Sequence, residues 1–212
     1  MLCTTLDHLV ITAPSVEMGI QYVEQILGVG MERGGKHPRM GTHNALLRLG
    51  GGAYLEVIAV DPEATPPGRP RWFELDRPGR PRLAGWVART DDIARAHGAL
   101  GNVLGALETM SRGDLSWRIT IPEDGGLPFG GAAPMLIQWA AGPRPSDRLP
   151  DSGCSLVRFE RFHPQADAVN VILDQVGLQA LPAVVGPAPA LVAHIQTPSG
   201  LRLLGPTGDI HG

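Results

Sequence analysis

A chain of 212 residues that is 43% hydrophobic can bury one sizeable core or two small fused ones. Its formal charge of -3 offers no basic surface to DNA, RNA or anionic lipid, so nucleic acid is excluded as an expected partner. There is no basic leader before an apolar run and no apolar stretch near about eighteen residues, and Cys3 and Cys154 stand apart, so neither membrane span nor export is expected and a cytoplasmic location is favoured.

In chain order, Leu6 to Thr12 is β-rich, and simple alternation puts His8, Val10 and Thr12 on one face and Asp7, Leu9 and Ile11 on the other. Ser15 offers an N-cap to a helix carrying Val16, Ile20, Val23 and Leu27, which Gly28 ends. Extended stretches follow around Gly30 to Gly34, Asn44 to Leu49 and Tyr54 to Val60, separated by glycine-rich turns. Residues 1–62 thus read as a β-α-β-β-β module.

Residues 63–82 read as a proline-rich connection containing Pro66, Pro67, Pro70, Pro78 and Pro81, with Trp72 to Leu75 able to form a short helix inside it. A strand from Leu83 to Thr90, a helix capped by Thr90 or Asp91 and running through Leu100, and extended pieces at Met110-Ser111, Leu115 to Ile121 and Met135 to Ala140 repeat the order over 83–142. A partial third βα unit spans 151–205, with a strand at Ser155 to Phe162, a helix from Gln165 to Val176, and strands near Leu191 to Gln196 and Leu201 to Leu204. Such units have too little apolar surface to stand alone and are expected to share one core.

His8 and Glu56 lie on strands about fifty residues apart and can face one cavity, as ligands of a divalent metal or, for Glu56, as a general base. The competing reading makes His8 a strand histidine satisfied inside the core. A carboxylate among Leu55 and Val57 must be paired or line a wet site. His43 could be a third ligand, giving a two-His, one-carboxylate set, or could satisfy backbone groups in a turn. Arg112 and Arg118 flank the strand that carries Trp117, and Arg118 could clamp a carboxylate or enediolate oxygen if its face is concave. Trp86, Gln138 and Trp139 are candidates to shape the substrate cavity, or else plain core. His37, His97, His163, His194 and His211 default to non-catalytic roles. Phosphate-binding loops and nucleophile elbows are not found.

The ordered set Leu6-Asp7-His8-Leu9-Val10, Gly41-Thr42-His43-Asn44-Ala45, Tyr54 to Pro62, Trp117-Arg118 and Leu136-Ile137-Gln138-Trp139 resembles the glyoxalase-like domain proteins of the vicinal oxygen chelate superfamily. The resemblance implies an α+β fold of repeated βαβββ modules whose curled mixed sheets enclose a cleft, with metal ligands on the first and last strands of each module. His8 and Glu56 match those positions in the first module. In the second, Trp86 and Gln138 look like the counterparts and depart from the usual His and Glu. Two functions follow from the resemblance: a divalent-metal-dependent lyase, isomerase or dioxygenase-like enzyme with Glu56 moving a proton, or a metal-free small-molecule binding or resistance protein. A small-molecule ligand and a homodimer are the implied partners.

Overall fold

The computed structural model describes residues 2–77 and 79–206; Met1, Pro78 and His211 lie outside them. The first module comprises β1 (Thr4–Thr12), α1 (Val16–Leu27), β2 (Glu32–His37), β3 (Thr42–Arg48) and β4 (Tyr54–Val60). The second comprises β5 (Arg82–Thr90), α2 (Ile93–Leu100), β6 (Ala106–Arg112), β7 (Leu115–Ile121) and β8 (Met135–Trp139). Together they make one eight-stranded sheet in the order β2-β3-β4-β1-β5-β8-β7-β6. Each module's first strand runs parallel to its last, β1 with β4 and β5 with β8, and the antiparallel β1–β5 pair joins them. The order therefore reads identically outward from that seam. The sheet curls into a half-barrel. Its edge strands meet, since a Cβ on Gly35 of β2 would fall 2.9 Å from Cδ of Arg112 on β6.

Local chemistry sets the helices. Ser15 accepts from the Met18 amide, and Gly28, at φ 70°, returns its N–H to Glu24 in a left-handed cap. Gly19 lets α1 lie close on β4, because a Cβ there would come 2.3 Å from Cγ1 of Val57. Asp92, one residue beyond the expected caps, caps α2 by accepting from the Arg95 amide.

After a short α3 (Pro145–Arg148), the chain forms β9 (Ser155–His163), α4 (Ala166–Gln175), β10 (Val184–Val185), β11 (Ala190–Thr197) and β12 (Gly200–Leu204). These strands make a separate sheet ordered β10-β9-β11-β12. Here the first strand pairs parallel with β10, the strand just after the helix, so this unit shares the βαβββ order of the others without their topology.

The main core lies between the outer face of the large sheet, the helices and the second sheet, and includes Leu9, Leu55, Trp86, Val169, Leu173 and Ile195. A second apolar cluster fills the concave face, with Val10, Ile58, Trp72, Phe73, Val87, Trp117 and Ile137. Among the described residues no helix is long and apolar enough to cross a membrane.

Candidate functional site

The polar wall of the cleft is built by the first module. β-pairing places His8 beside Tyr54 and Val10 beside Glu56, so His8 and Val10 of β1 share the concave face with Tyr54, Glu56 and Ile58 of β4. The His8 ring stacks on Tyr54 at 4.6 Å between centroids. Its Nε2 lies 3.3 Å from Oε2 of Glu56, and Nδ1 lies 2.8 Å from Oδ1 of Asp7. A β-bulge between Leu6 and His8 makes the second contact possible by breaking the alternation that would have sent Asp7 to the other face. Asn44 donates from Nδ2 to Oε1 of Glu56 at 2.5 Å and accepts from the Gly35 amide at 2.8 Å. Asp7 also accepts from Trp139 Nε1 at 3.1 Å and pairs with Arg89 at 3.3 Å. Asp7, His8 and Glu56 are 1%, 4% and 6% exposed, so a chain of carboxylate, imidazole and carboxylate is buried together.

These neighbours set the charges. Burial on its own disfavours a charged imidazole, but the hydrogen bonds and charges of Asp7 and Glu56 outweigh it and raise the His8 pKa to about 9. Burial pushes Glu56 up, whereas His8, by hydrogen bond and charge, with His37 and Asn44, pulls it down to about 2. Burial likewise raises Asp7 while His8, Trp139 and Arg89 lower it, with a net downward shift. His8 is thus an imidazolium held between two carboxylates at neutral pH. His37 behaves oppositely. Burial lowers it to about 4, opposed by Glu56 and reinforced by Arg112. Its Nε2 accepts from Arg112 Nη1 at 2.9 Å and its Nδ1 faces Thr42 Oγ1 at 3.1 Å, which fits a neutral ring protonated on Nδ1.

The facing wall comes from the second module and is apolar apart from Arg112. Trp117 and Trp139 pack with ring centroids 5.2 Å apart, beside Ile119 and Ile137. The roof is the connection between the modules. Trp72 and Phe73, 3% and 2% exposed, drop from a single 3-10 turn (Trp72–Glu74) into the concave cluster. This segment is more than a linker. The cavity left between walls and roof is about 30 Å³, room for about one water.

Of the residues singled out from sequence, the structure brings His8, Glu56, Arg112 and Trp139 together around this cavity. The others point elsewhere. His43 pairs with Ala59, on the face of β3 opposite Asn44 and Glu56, so it does not join His8 and Glu56. Trp86 is paired with Leu9 and lies in the main core, donating Nε1 to Ala132 O and packing under Arg161 and Phe159. Gln138 is structural: its side chain accepts from the Ile93 amide and donates to Asp91 O, holding the start of α2. Arg118 is paired with Gln138, on the face opposite Trp117, and Trp117 faces the cleft. For β5 and β8 the difference is one residue: Val87 and Ile137, not Trp86 and Gln138, are the cleft-facing residues. Asp7, His37, Asn44, Tyr54, Trp72, Phe73 and Trp117 were missed as site residues. Asp7 in the apolar run of β1 and Asn44 before Ala45 to Leu47 are polar residues that the sequence offered as signals.

The donor set does not fit the divalent cation that the family resemblance implies. Both ring nitrogens of His8 already face carboxylates, and Val87 and Ile137 supply no ligand from the second module. The Arg112 guanidinium occupies the remaining imidazole, His37. Among the described residues no three His, Cys, Asp or Glu side chains are grouped to hold a metal ion.

A family model described as a glyoxalase-like domain matches residues 6–177. Among solved structures, a hypothetical protein from Staphylococcus aureus superimposes with a TM-score of 0.63 at 13% identity, covering 88% of each chain. Methylmalonyl-CoA epimerase from Mycobacterium tuberculosis gives a TM-score of 0.41 at 20% identity, over 65% of this chain and 88% of that one. A methylmalonyl-CoA epimerase in complex with methylmalonyl-CoA and NH4+ gives 0.45 at 18% identity, over 65% and 96%. No curated protein matches the sequence.

Proposed function

The chain belongs to the family of glyoxalase-like domain proteins, and from that premise we propose that its cleft binds a small organic molecule without a resident divalent cation. The buried Asp7–His8–Glu56 chain carries this reading. A His8 imidazolium with a pKa of about 9 supplies a fixed positive charge to the polar wall, where a metal ion would otherwise stand. The looser of its two contacts, 3.3 Å to Glu56, is the one an incoming oxygen atom can replace, while Asp7 keeps the ring oriented from Nδ1. Aromatic and aliphatic walls exclude water around that charge, which strengthens its attraction for a partial negative charge.

A second reading, an isomerase or lyase in which Glu56 moves a proton, is favoured by the direct His8–Glu56 contact, along which a proton can pass. Against it, a carboxylate with a pKa of about 2 is a weak base. Binding or sequestration is therefore the function supported best. The test is the metal content of untagged protein, measured by plasma mass spectrometry for wild type, His8→Ala and Glu56→Ala after incubation with zinc, nickel, manganese or ferrous iron. Metal far below one per chain, equal in all three, is expected. Near-stoichiometric metal that both substitutions abolish would overturn the reading.

A further inference from the structure

Two hydrogen-bond donors in the cleft have no acidic partner. Trp72 lines the cavity, is 3% exposed, and its Nε1 has no hydrogen-bond partner. A buried donor without an acceptor is costly, and its persistence points to an acceptor that arrives from outside. Arg112 lines the same cavity. Its guanidinium touches His37 and, at 3.5 Å, Asn44 Oδ1, and among the described residues it forms no ion pair with a carboxylate. Asp7 and Glu56, by contrast, already have His8 and Arg89 as counter-charges. The unmatched charge in the cleft is positive.

The space beside these donors is occupied by the protein itself. Phe73 sits in the left-handed region at φ 56°, ψ 28°, followed by Glu74 at φ 58°, a conformation that residues with a Cβ adopt only at a cost. Its buried ring belongs to the concave cluster with Trp72 and Trp117. With Phe73 in place the cavity is about 30 Å³, too small for any organic ligand.

Resting on the cleft reading above, we propose that the ligand is a small planar carboxylate with an apolar, aromatic-like body. Its carboxylate sits between Arg112 and Trp72 Nε1, and its body takes the place that Phe73 now fills. Arg112 gives the charge and a forked set of donors, Trp72 a single directed N–H, and the Trp117–Trp139 pair a flat wall. Cations gain nothing here, because the carboxylates are already matched, and neutral molecules leave the guanidinium without a counter-charge.

The test is isothermal titration of wild type, Phe73→Ala, Arg112→Gln and Trp72→Phe with benzoate, phenylacetate and cinnamate, each against its primary amide. Phe73→Ala is expected to bind at least one acid at least about tenfold more tightly than the matching amide. Wild type should show the same preference with weaker affinity, since it must move Phe73. Arg112→Gln should abolish the preference, and Trp72→Phe should weaken acids more than amides, because a carboxylate is the stronger acceptor. Amides binding as tightly as acids, or acid binding untouched by Arg112→Gln, would overturn the inference while the cleft reading stands. No binding of either class to a Phe73→Ala protein with native circular dichroism would overturn the cleft reading and this inference with it.

Discussion

Asp7 and His8 are consecutive in the chain, yet their side chains meet, Oδ1 to Nδ1 at 2.8 Å, because a β-bulge in β1 turns both toward the same buried cluster. Neither would be tolerable there alone. A buried carboxylate deprived of its imidazolium, or the reverse, leaves an uncompensated charge. Asp7→Ala is expected to cost about 3 kcal/mol of stability and to drop the pKa of His8 well below the value of about 9. Arg89→Gln, which removes the partly buried partner of Asp7 at 3.3 Å but leaves the His8 contact in place, should cost less than Asp7→Ala. Urea denaturation and the NMR titration of the His8 ring protons check both. A His8 that still titrates near 9 without Asp7 would refute the pairing.

The same cluster predicts how stability depends on pH. His8, raised to about 9 in the fold from an ordinary 6.5, contributes stability that is complete below pH 6.5 and is lost as pH rises to 9. Glu56, lowered to about 2 from 4.5, contributes stability that is present above pH 4.5 and is lost as pH falls toward 2, and Asp7 acts in the same direction. His37, lowered to about 4, is kept neutral by the fold, so stability also declines as pH falls from 6.5 to 4, where only the unfolded chain takes up the proton. The denaturation midpoint should therefore peak near pH 6.5 and fall on both sides. His8→Gln should flatten the limb between pH 6.5 and 9, and His37→Gln the limb between pH 4 and 6.5. An alkaline limb unchanged in His8→Gln would refute the assignment.

The repeated β-α-β-β-β order was readable from the sequence because period-two strands, helix caps and glycine turns are local signals, and Ser15, Gly28 and the apolar face of α1 show it. His8 and Glu56 were readable because a single uninterrupted register connects β1 to β4. The second half of the site was not. The family resemblance puts the counterparts of His8 and Glu56 at Trp86 and Gln138, whereas Val87 and Ile137, each one residue away on its strand, face the cleft. His37 and Arg112 come together only because the curled sheet brings its two edge strands, β2 and β6, near each other, a long-range consequence with no local signature. Trp72 and Phe73 sat in a proline-rich stretch whose composition suggested a connection, while their burial depends on a left-handed turn that propensity does not foretell.

Two glycines of β2, Gly34 and Gly35, leave room for side chains of neighbouring strands, Asn44 of β3 and Arg112 of β6. A Cβ on Gly34 would come 2.0 Å from Asn44 Oδ1 and 3.2 Å from the Asn44 carbonyl oxygen, so the added methyl must displace the side chain that holds Glu56. Gly34→Ala is expected to cost about 1–3 kcal/mol and to release Glu56, raising its pKa above the value of about 2. On Gly35 the Cβ meets only the flexible stem of Arg112, at 2.9 Å from Cδ. Gly35→Ala should therefore change stability by less than about 1 kcal/mol while shifting the guanidinium off His37. Thermal denaturation separates the two variants, and equal costs at both positions would contradict the packing described.

Trp72 offers the reverse case, a position where the residue present is worse for the fold than a near relative. Its indole Nε1 is buried without an acceptor, a penalty of about 1–3 kcal/mol. Phenylalanine keeps most of the ring packing against Phe73, at 5.7 Å between centroids, and against the edge of His37, at 5.3 Å, but carries no donor to strand. Removing the indole's second ring opens a void that takes back part of the gain. Trp72→Phe is therefore expected to be at least as stable as wild type, by about 0–1 kcal/mol in urea denaturation, an unusual result for truncating a 3%-exposed tryptophan in an apolar cluster. A loss of about 2 kcal/mol or more, a void cost not offset by removing the stranded donor, would show that Trp72 serves packing alone. Stability held or gained would mean that the indole N–H is kept at the expense of the fold, as expected of a group whose acceptor arrives with a ligand.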